Sequence, residues 1–188
     1  MTEIYLDHAA TSPMHPEVIE AMTAVMTEVY GNPSSIHRIG RHARKYLDEA
    51  RTKLARSINA KDSEIILTSG GSEADNLAIF GTAYARQHEG RHIITTQIEH
   101  HAVLRACERL EKEGFDVTYL PVDKHGMIAI DDLKCALRDD TILVTVMYGN
   151  NEVGTKQPIQ EIGALLRDHK ATFHTDAVQA YGLEKIDV

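Results

Sequence analysis

The sequence predicts an α/β fold, a three-layer sandwich built on a mostly parallel sheet. Three observations carry this. Helical and strand-like segments alternate along the chain, the order expected of parallel sheets with crossover helices. Thr141–Tyr148 is a β-branched, apolar run of the kind found in strands covered on both faces. Gly70-Gly71-Ser72 joins a short strand-like run to a helix.

Each element has its own signal. In residues 16–30, Val18, Met22, Val25, Met26 and Val29 recur at helical spacing. Gly31-Asn32-Pro33-Ser34-Ser35 ends that helix, because Pro33 disfavours a helical Asn32. A second amphipathic helix spans 39–58, with Ala43, Tyr46, Leu47, Ala50 and Leu54 on one side and charges opposite. Residues 64–68 read as a short strand and 72–87 as the helix after the glycine pair. A strand over 92–98 is followed by a helix over 101–113, which Gly114 ends. Then come a strand over 117–122, a short helix over 131–137 and the apolar strand from Thr141. Pro158 opens a helix reaching Arg167, and 171–175 is the last strand. With no repeats and no internal linker, the 188 residues read as one domain.

Composition narrows the function. The hydrophobic content of 43% is that of a globular domain. A formal net charge of -8 and 5% aromatic residues argue against nucleic acid and against anionic membranes. The local basic stretch from Arg38 to Lys53 is interrupted by Asp48 and Glu49 and reads as a solvated helix face. No apolar run has the length of a membrane span, and the first thirteen residues lack the pattern of a secretory signal. Cys107 and Cys135 make neither a metal pattern nor a disulfide framework, so a reducing cytoplasm is expected. Cys107 falls on one helical stripe with Val103 and Leu110 and reads as a buried structural thiol, whereas Cys135 lies off its stripe.

Several polar residues follow predicted strands, where open α/β sheets bind ligands. Gly71 and Ser72 stand at a helix start, whose unpaired N–H groups and dipole favour an anion such as phosphate. Ser72-x-x-Asp75 is equally a capping box, which needs no ligand. His100 can stack on a ring or cap the helix behind it. Asn151 can meet a ligand or stabilise its loop. Asp176 can cap the next turn or hold a pyridine nitrogen protonated, since an opposite charge favours the charged form. Gln179 lies three residues further on. Taken together, these groups suit a cofactor with a phosphate at one end and a ring nitrogen at the other.

The motifs resemble those of cysteine desulfurases of the NifS/IscS type, within the class V aminotransferase-like, fold-type I pyridoxal-phosphate enzymes. Tyr5-Leu6-Asp7-His8-Ala9-Ala10-Thr11-Ser12-Pro13 and Gly31-Asn32-Pro33-Ser34-Ser35-Ile36-His37 are similar to the family's first two blocks. Thr68–Glu73, Glu99–Leu104, Asn150–Gly154 and Thr175–Gln179 follow in family order. The resemblance implies that Gly71 and Ser72 hold the cofactor phosphate. It implies that His100 stacks on the ring and assists proton transfer, and that Asn151 contacts ring oxygen and substrate. Asp176 would meet the pyridine nitrogen and Gln179 the ring hydroxyl. It further implies a homodimer that takes sulfur from L-cysteine, leaving alanine and an enzyme persulfide for a sulfur-acceptor protein in iron-sulfur cluster or thio-cofactor assembly.

The family's Schiff-base lysine follows the aspartate within a Ser-x-His-Lys-like turn, and Lys185 lacks that context. The expectation is therefore a partial cofactor-binding large domain over 1–188, with 1–35 as an N-terminal segment and no C-terminal domain. Such a chain would bind pyridoxal phosphate weakly and be inactive alone. The alternatives are a non-catalytic cofactor-binding or subunit-pairing module, and another enzyme of the class V group.

Overall fold

The computed structural model describes residues 4–188; Met1–Glu3, which begin the 1–35 segment, lie outside the described residues. The chain forms two compact units, one running to Leu67 and including Glu184–Val188, the other spanning Thr68–Leu183.

The first unit is helical. α1 (Pro16–Glu28) starts on His15, whose ring Nδ1 accepts from the Glu17 N–H at 3.4 Å. α2 (Arg38–Ser57) starts on His37, which accepts from the Gly40 N–H at 3.3 Å. Between them Asn32 accepts from the Ser34 N–H through its side chain, which makes the predicted break a local turn. The charged face of α2 is crossed by Arg44–Asp48 and Lys45–Glu49 pairs one turn apart, as a solvated face requires.

The strand expected over 64–68 does not form. Asp62–Glu64 is a single 3-10 turn, and Ile65 is extended (φ -90°, ψ 120°) without a ladder. Its carbonyl accepts from the Arg51 guanidinium instead, and Ile66 is 70% exposed. β-branched residues favour extended backbone, but a strand also needs a neighbour to pair with.

The second unit carries the sheet. Its strands are β1 (His92–Thr96), β2 (Asp116–Leu120), β3 (Thr141–Thr145) and β4 (Thr172–His174), in spatial order β2-β1-β3-β4, and every pairing is parallel. The connections supply the outer layers: α3 (Gly71–Arg86), α4 (His101–Lys112), α5 (Ile130–Ala136) and α6 (Ile159–Leu166). Alternation along the buried strands divides the core in two. Ile93 and Leu143 face Ile79 and Ala83 of α3 and Val103, Cys107 and Leu110 of α4. Ile94 and Val144 face Leu133 of α5 and Ile162 and Leu166 of α6. This is the three-layer sandwich, and β1 and β3 are buried throughout because helices cover both faces.

At the amino end of the sheet, His92 is fully buried between Thr141 Oγ1 (2.7 Å) and Thr118 Oγ1 (2.8 Å), which joins three strands through one ring. Gly114 adopts φ +88° after α4, the left-handed turn expected of a helix-ending glycine.

Candidate functional site

The carboxyl ends of β1, β3 and β4 gather the residues singled out above. Beyond β1, His100 is the N-cap of α4: Nδ1 accepts from the Ala102 N–H at 3.1 Å, and the ring is exposed. Capping and ring stacking are therefore compatible. With Nδ1 occupied as an acceptor, a neutral ring carries its proton on Nε2.

Beyond β3, Asn150 fixes the loop. Its side-chain amide donates to the Ile98 carbonyl at 3.0 Å, while Oδ1 accepts from the N–H groups of Glu152 and Val153. The β3 loop is thus tied to the β1 loop beside His100. Asn151, one residue on, is only partly buried, and its amide reaches Glu152 Oε1 at 3.3 Å.

Beyond β4, Asp176 is buried, and its Oδ1 accepts from the Val178 N–H at 3.0 Å. Its carbonyl accepts from the Tyr148 N–H at 2.8 Å, so the β3–β4 pairing carries on past the strands and sets this residue's height. Here too the turn-capping reading holds, and it occupies Oδ1. Gln179 is half-buried in the turn that follows, where the Ala180 N–H donates to the Ala177 carbonyl.

α3 begins against that same turn. A Cβ added to Gly71 would come within 2.9 Å of Val178 Cγ2, so only glycine admits this approach without a shift. No side chain caps the start of α3. The capping box expected from Ser72 and Asp75 is absent. Ser72 already lies inside the helix and is exposed, while Asp75 is buried with its Oδ1 3.7 Å from His174 Nε2. The acid that does reach back is Glu73, which accepts from the Ser69 N–H at 2.8 Å and the Ser69 hydroxyl at 2.5 Å. Those bonds hold its carboxyl below the usual range.

The arrangement fits a phosphate-bearing pyridine. Uncapped N–H groups and an exposed hydroxyl lie at one point, a side-chain-free backbone position lies beside them, and a buried carboxylate follows the adjacent strand. Cys107 is enclosed in the core, and burial pushes its thiol up to about 12, so the structural reading of that residue holds. Cys135 is exposed. Among the described residues, no helix is long and apolar enough to cross a membrane.

Two polar groups near the site, Glu99 and His174, escaped the reading of the sequence, and a third, Asp75, is not the capping acid its spacing from Ser72 suggests. Asp75 had a usable signal. It stands four residues before Ile79 and eight before Ala83, on the buried stripe of its own helix. Glu99 gave none, since an acid at a strand end is ordinarily solvated; here it is 5% exposed.

Comparison with known proteins agrees with this fold. Residues 4–188 match the family described as aminotransferase class-V. A relative from Bacillus subtilis (strain 168) that carries the cysteine desulfurase name IscS 1 is 66% identical over 188 residues, 100% of this chain and 50% of the relative. The solved structure of a NifS-like protein superposes with a TM-score of 0.95 at 36% identity, covering 100% of this chain and 52% of that one. A structure of SspA in complex with cysteine superposes at 0.93 with 42% identity, covering 98% and 53%. The chain thus spans about half the length of the proteins it matches. From the order of its motifs, the sheet they follow and the family match along residues 4–188, the chain belongs to the aminotransferase class-V family.

Proposed function

We propose that this chain forms the cofactor cradle of a pyridoxal-phosphate-dependent cysteine desulfurase. The observation that supports it most is the meeting of three segments at one sheet edge. The uncapped start of α3 packs on the turn of Asp176, and the loop of Asn151 is tied to the strand end before His100. A bound pyridoxal phosphate supplies an electron sink for carbanion chemistry. The chain's residues supply binding, orientation and proton placement. Gly71 and Ser72 hold the phosphate on backbone N–H groups and one hydroxyl. His100 would stack on the ring, and with Nδ1 accepting from the Ala102 N–H, its Nε2 would be the ring nitrogen free to exchange a proton with substrate. Asp176 holds the ring nitrogen in its protonated form. Asn151 and Gln179 orient the ring oxygen, and Asn151 also meets the substrate.

In this reading the substrate is L-cysteine, the product alanine, and the sulfur passes to an acceptor protein from a homodimer in the cytoplasm. The cysteine seen with SspA belongs to that protein and supports the substrate class by relationship. Cys107 does not serve as the sulfur carrier, because its thiol is sealed in the core. These residues alone hold the cofactor weakly and without a covalent bond, and they do not complete the reaction.

The test is direct. Pyridoxal phosphate titrated into the 188-residue chain should give saturable, phosphate-dependent binding that borohydride does not fix to a lysine. The protein that contains this chain at its relatives' full length should release alanine and sulfide from L-cysteine. Binding indifferent to removal of the phosphate would overturn the cradle, and turnover by the short chain above the free-cofactor background would overturn its incompleteness.

A further inference from the structure

Three groups around Asp176 have no part in the reading above. Asp75 of α3 is 4% exposed and Glu99, after β1, is 5% exposed. His174, the last residue of β4, shares a hydrogen bond between Nδ1 and Thr145 Oγ1 at 2.8 Å and has Nε2 3.7 Å from Asp75 Oδ1. Glu99 Oε1 accepts from the Thr96 hydroxyl at 2.8 Å and from the Met147 N–H at 2.9 Å. Its other oxygen, Oε2, is buried with no hydrogen-bond partner.

These groups share one electrostatic neighbour, Asp176, which acts on Asp75, Glu99 and His174 alike. The charges acting on Asp75 and Glu99 are carboxylates, with no guanidinium or ammonium among them. Burial lowers His174, which disfavours its cationic form, and pushes the Cys107 thiol up to about 12, so that thiol adds no further negative charge. Carboxylates crowded out of water cannot all stay ionised. Burial is the first cause for both acids, raising Glu99 to about 7 and Asp75 to about 6.

We propose that Glu99 is a positioning residue that stores a proton at neutral pH, so that it ties the end of β1 to Met147 without setting a second buried negative charge beside Asp176, the residue that meets the cofactor's ring nitrogen. The inference rests on the cradle reading above. A protonated Glu99 still accepts at Oε1, so it keeps tying the end of β1 to Met147 after β3, and the proton sits on Oε2. An ionised Glu99 would instead leave a second buried negative charge beside Asp176, with Oε2 unpartnered and no cation to offset it. The pH dependence follows. A folded-state value near 7 against 4.5 for an ordinary glutamate means the folded chain binds the extra proton. The stability this gives is full below 4.5 and is lost as pH rises through 7.

The experiment compares wild type, Glu99→Gln and Glu99→Ala in the full-length protein containing this chain. Infrared spectra of the cofactor-free protein should show a protonated-carboxyl band that fades as pH rises through about 7, and Glu99→Gln should lack it. In absorption titrations at pH 6–8, Glu99→Gln should bind pyridoxal phosphate within about threefold of wild type and without its pH slope, while Glu99→Ala loses about tenfold or more. Absence of the band, or equal losses in the Gln and Ala variants, would overturn the proposal. If Glu99→Gln does not fold, Asp75→Asn decides: removing a neighbouring negative charge should lower the pH at which the Glu99 band fades, and an unmoved midpoint counts against the cluster. A wild type that binds no pyridoxal phosphate overturns the cradle reading and the positioning role with it. Normal binding without the band overturns the inference alone.

Discussion

α1 and α4 carry the same kind of pattern and end in opposite environments. In α1, Val18, Met22 and Val25 recur every three or four residues, yet the helix has no buried residue. In α4, Val103, Ala106, Cys107 and Leu110 recur the same way and are all buried. The difference lies in what is available to each. α4 packs on a parallel sheet with α3 beside it, so its stripe enters a shared core. Helical periodicity thus specifies a face, and a partner decides whether the face contributes to stability.

The most direct way to break this comparison is truncation on each stripe. Leu110→Ala should destabilise the chain by about 2–5 kcal/mol, since it opens a cavity in a packed core. Met22→Ala, at a residue 46% exposed, should stay within about 0.5 kcal/mol. Urea denaturation of the 188-residue chain reads both, and equal costs would mean that α1 is packed as firmly as α4.

A second experiment separates charge from structure within the sheet unit. Asp176→Asn keeps an acceptor for the Val178 N–H but removes the carboxylate. Pyridoxal-phosphate affinity should fall by about 10–100-fold, the worth of a charge-assisted hydrogen bond, with the melting profile nearly unchanged. An unaltered affinity in a fluorescence titration would remove Asp176 from the ring nitrogen.

Smaller effects distinguish two glycines of α3. Gly71→Ala forces a Cβ to within 2.9 Å of Val178 and should cost about 1 kcal/mol or more, with weaker cofactor binding. Gly81 has nothing within 4 Å of such a Cβ, and Gly81→Ala should stabilise by ~0.5–1 kcal/mol through helix propensity. Thermal melts of the pair test whether the start of α3 is shaped by its neighbour. The smallest effect belongs to His100. His100→Ala should cost about 1 kcal/mol from the lost cap. His100→Asn should restore the stability and leave cofactor affinity reduced, which separates the cap from the ring.

Most of the helices and strands were legible because each leaves a local trace. The β-branched run from Thr141 marked β3, and the glycine after the last apolar residue of α4 marked its end. The stretch 64–68 carried the same β-branched trace and misled, because pairing depends on a neighbour that local sequence does not contain. Asp75 misled for a related reason. Its spacing from Ser72 satisfied a capping rule, while its spacing to Ile79 and Ala83 placed it inside; only the packing of α3 against the sheet chose between them.

The sequence by itself determined the alternation of helix and strand, the α/β class and the placing of Gly71, Ser72, His100, Asn151, Asp176 and Gln179 after strands or at a helix start. These are properties of short segments, written in spacing, turn residues and helix caps. Only the tertiary structure decided the strand order β2-β1-β3-β4, the tie from Asn150 to Ile98 and the contact of Gly71 with Val178. It also decided that Asp75 and Glu99 are withdrawn from water beside Asp176. Those outcomes join segments tens of residues apart. A carboxyl's charge state depends on the water and the charges around it, and these are fixed only when the strands close on one another.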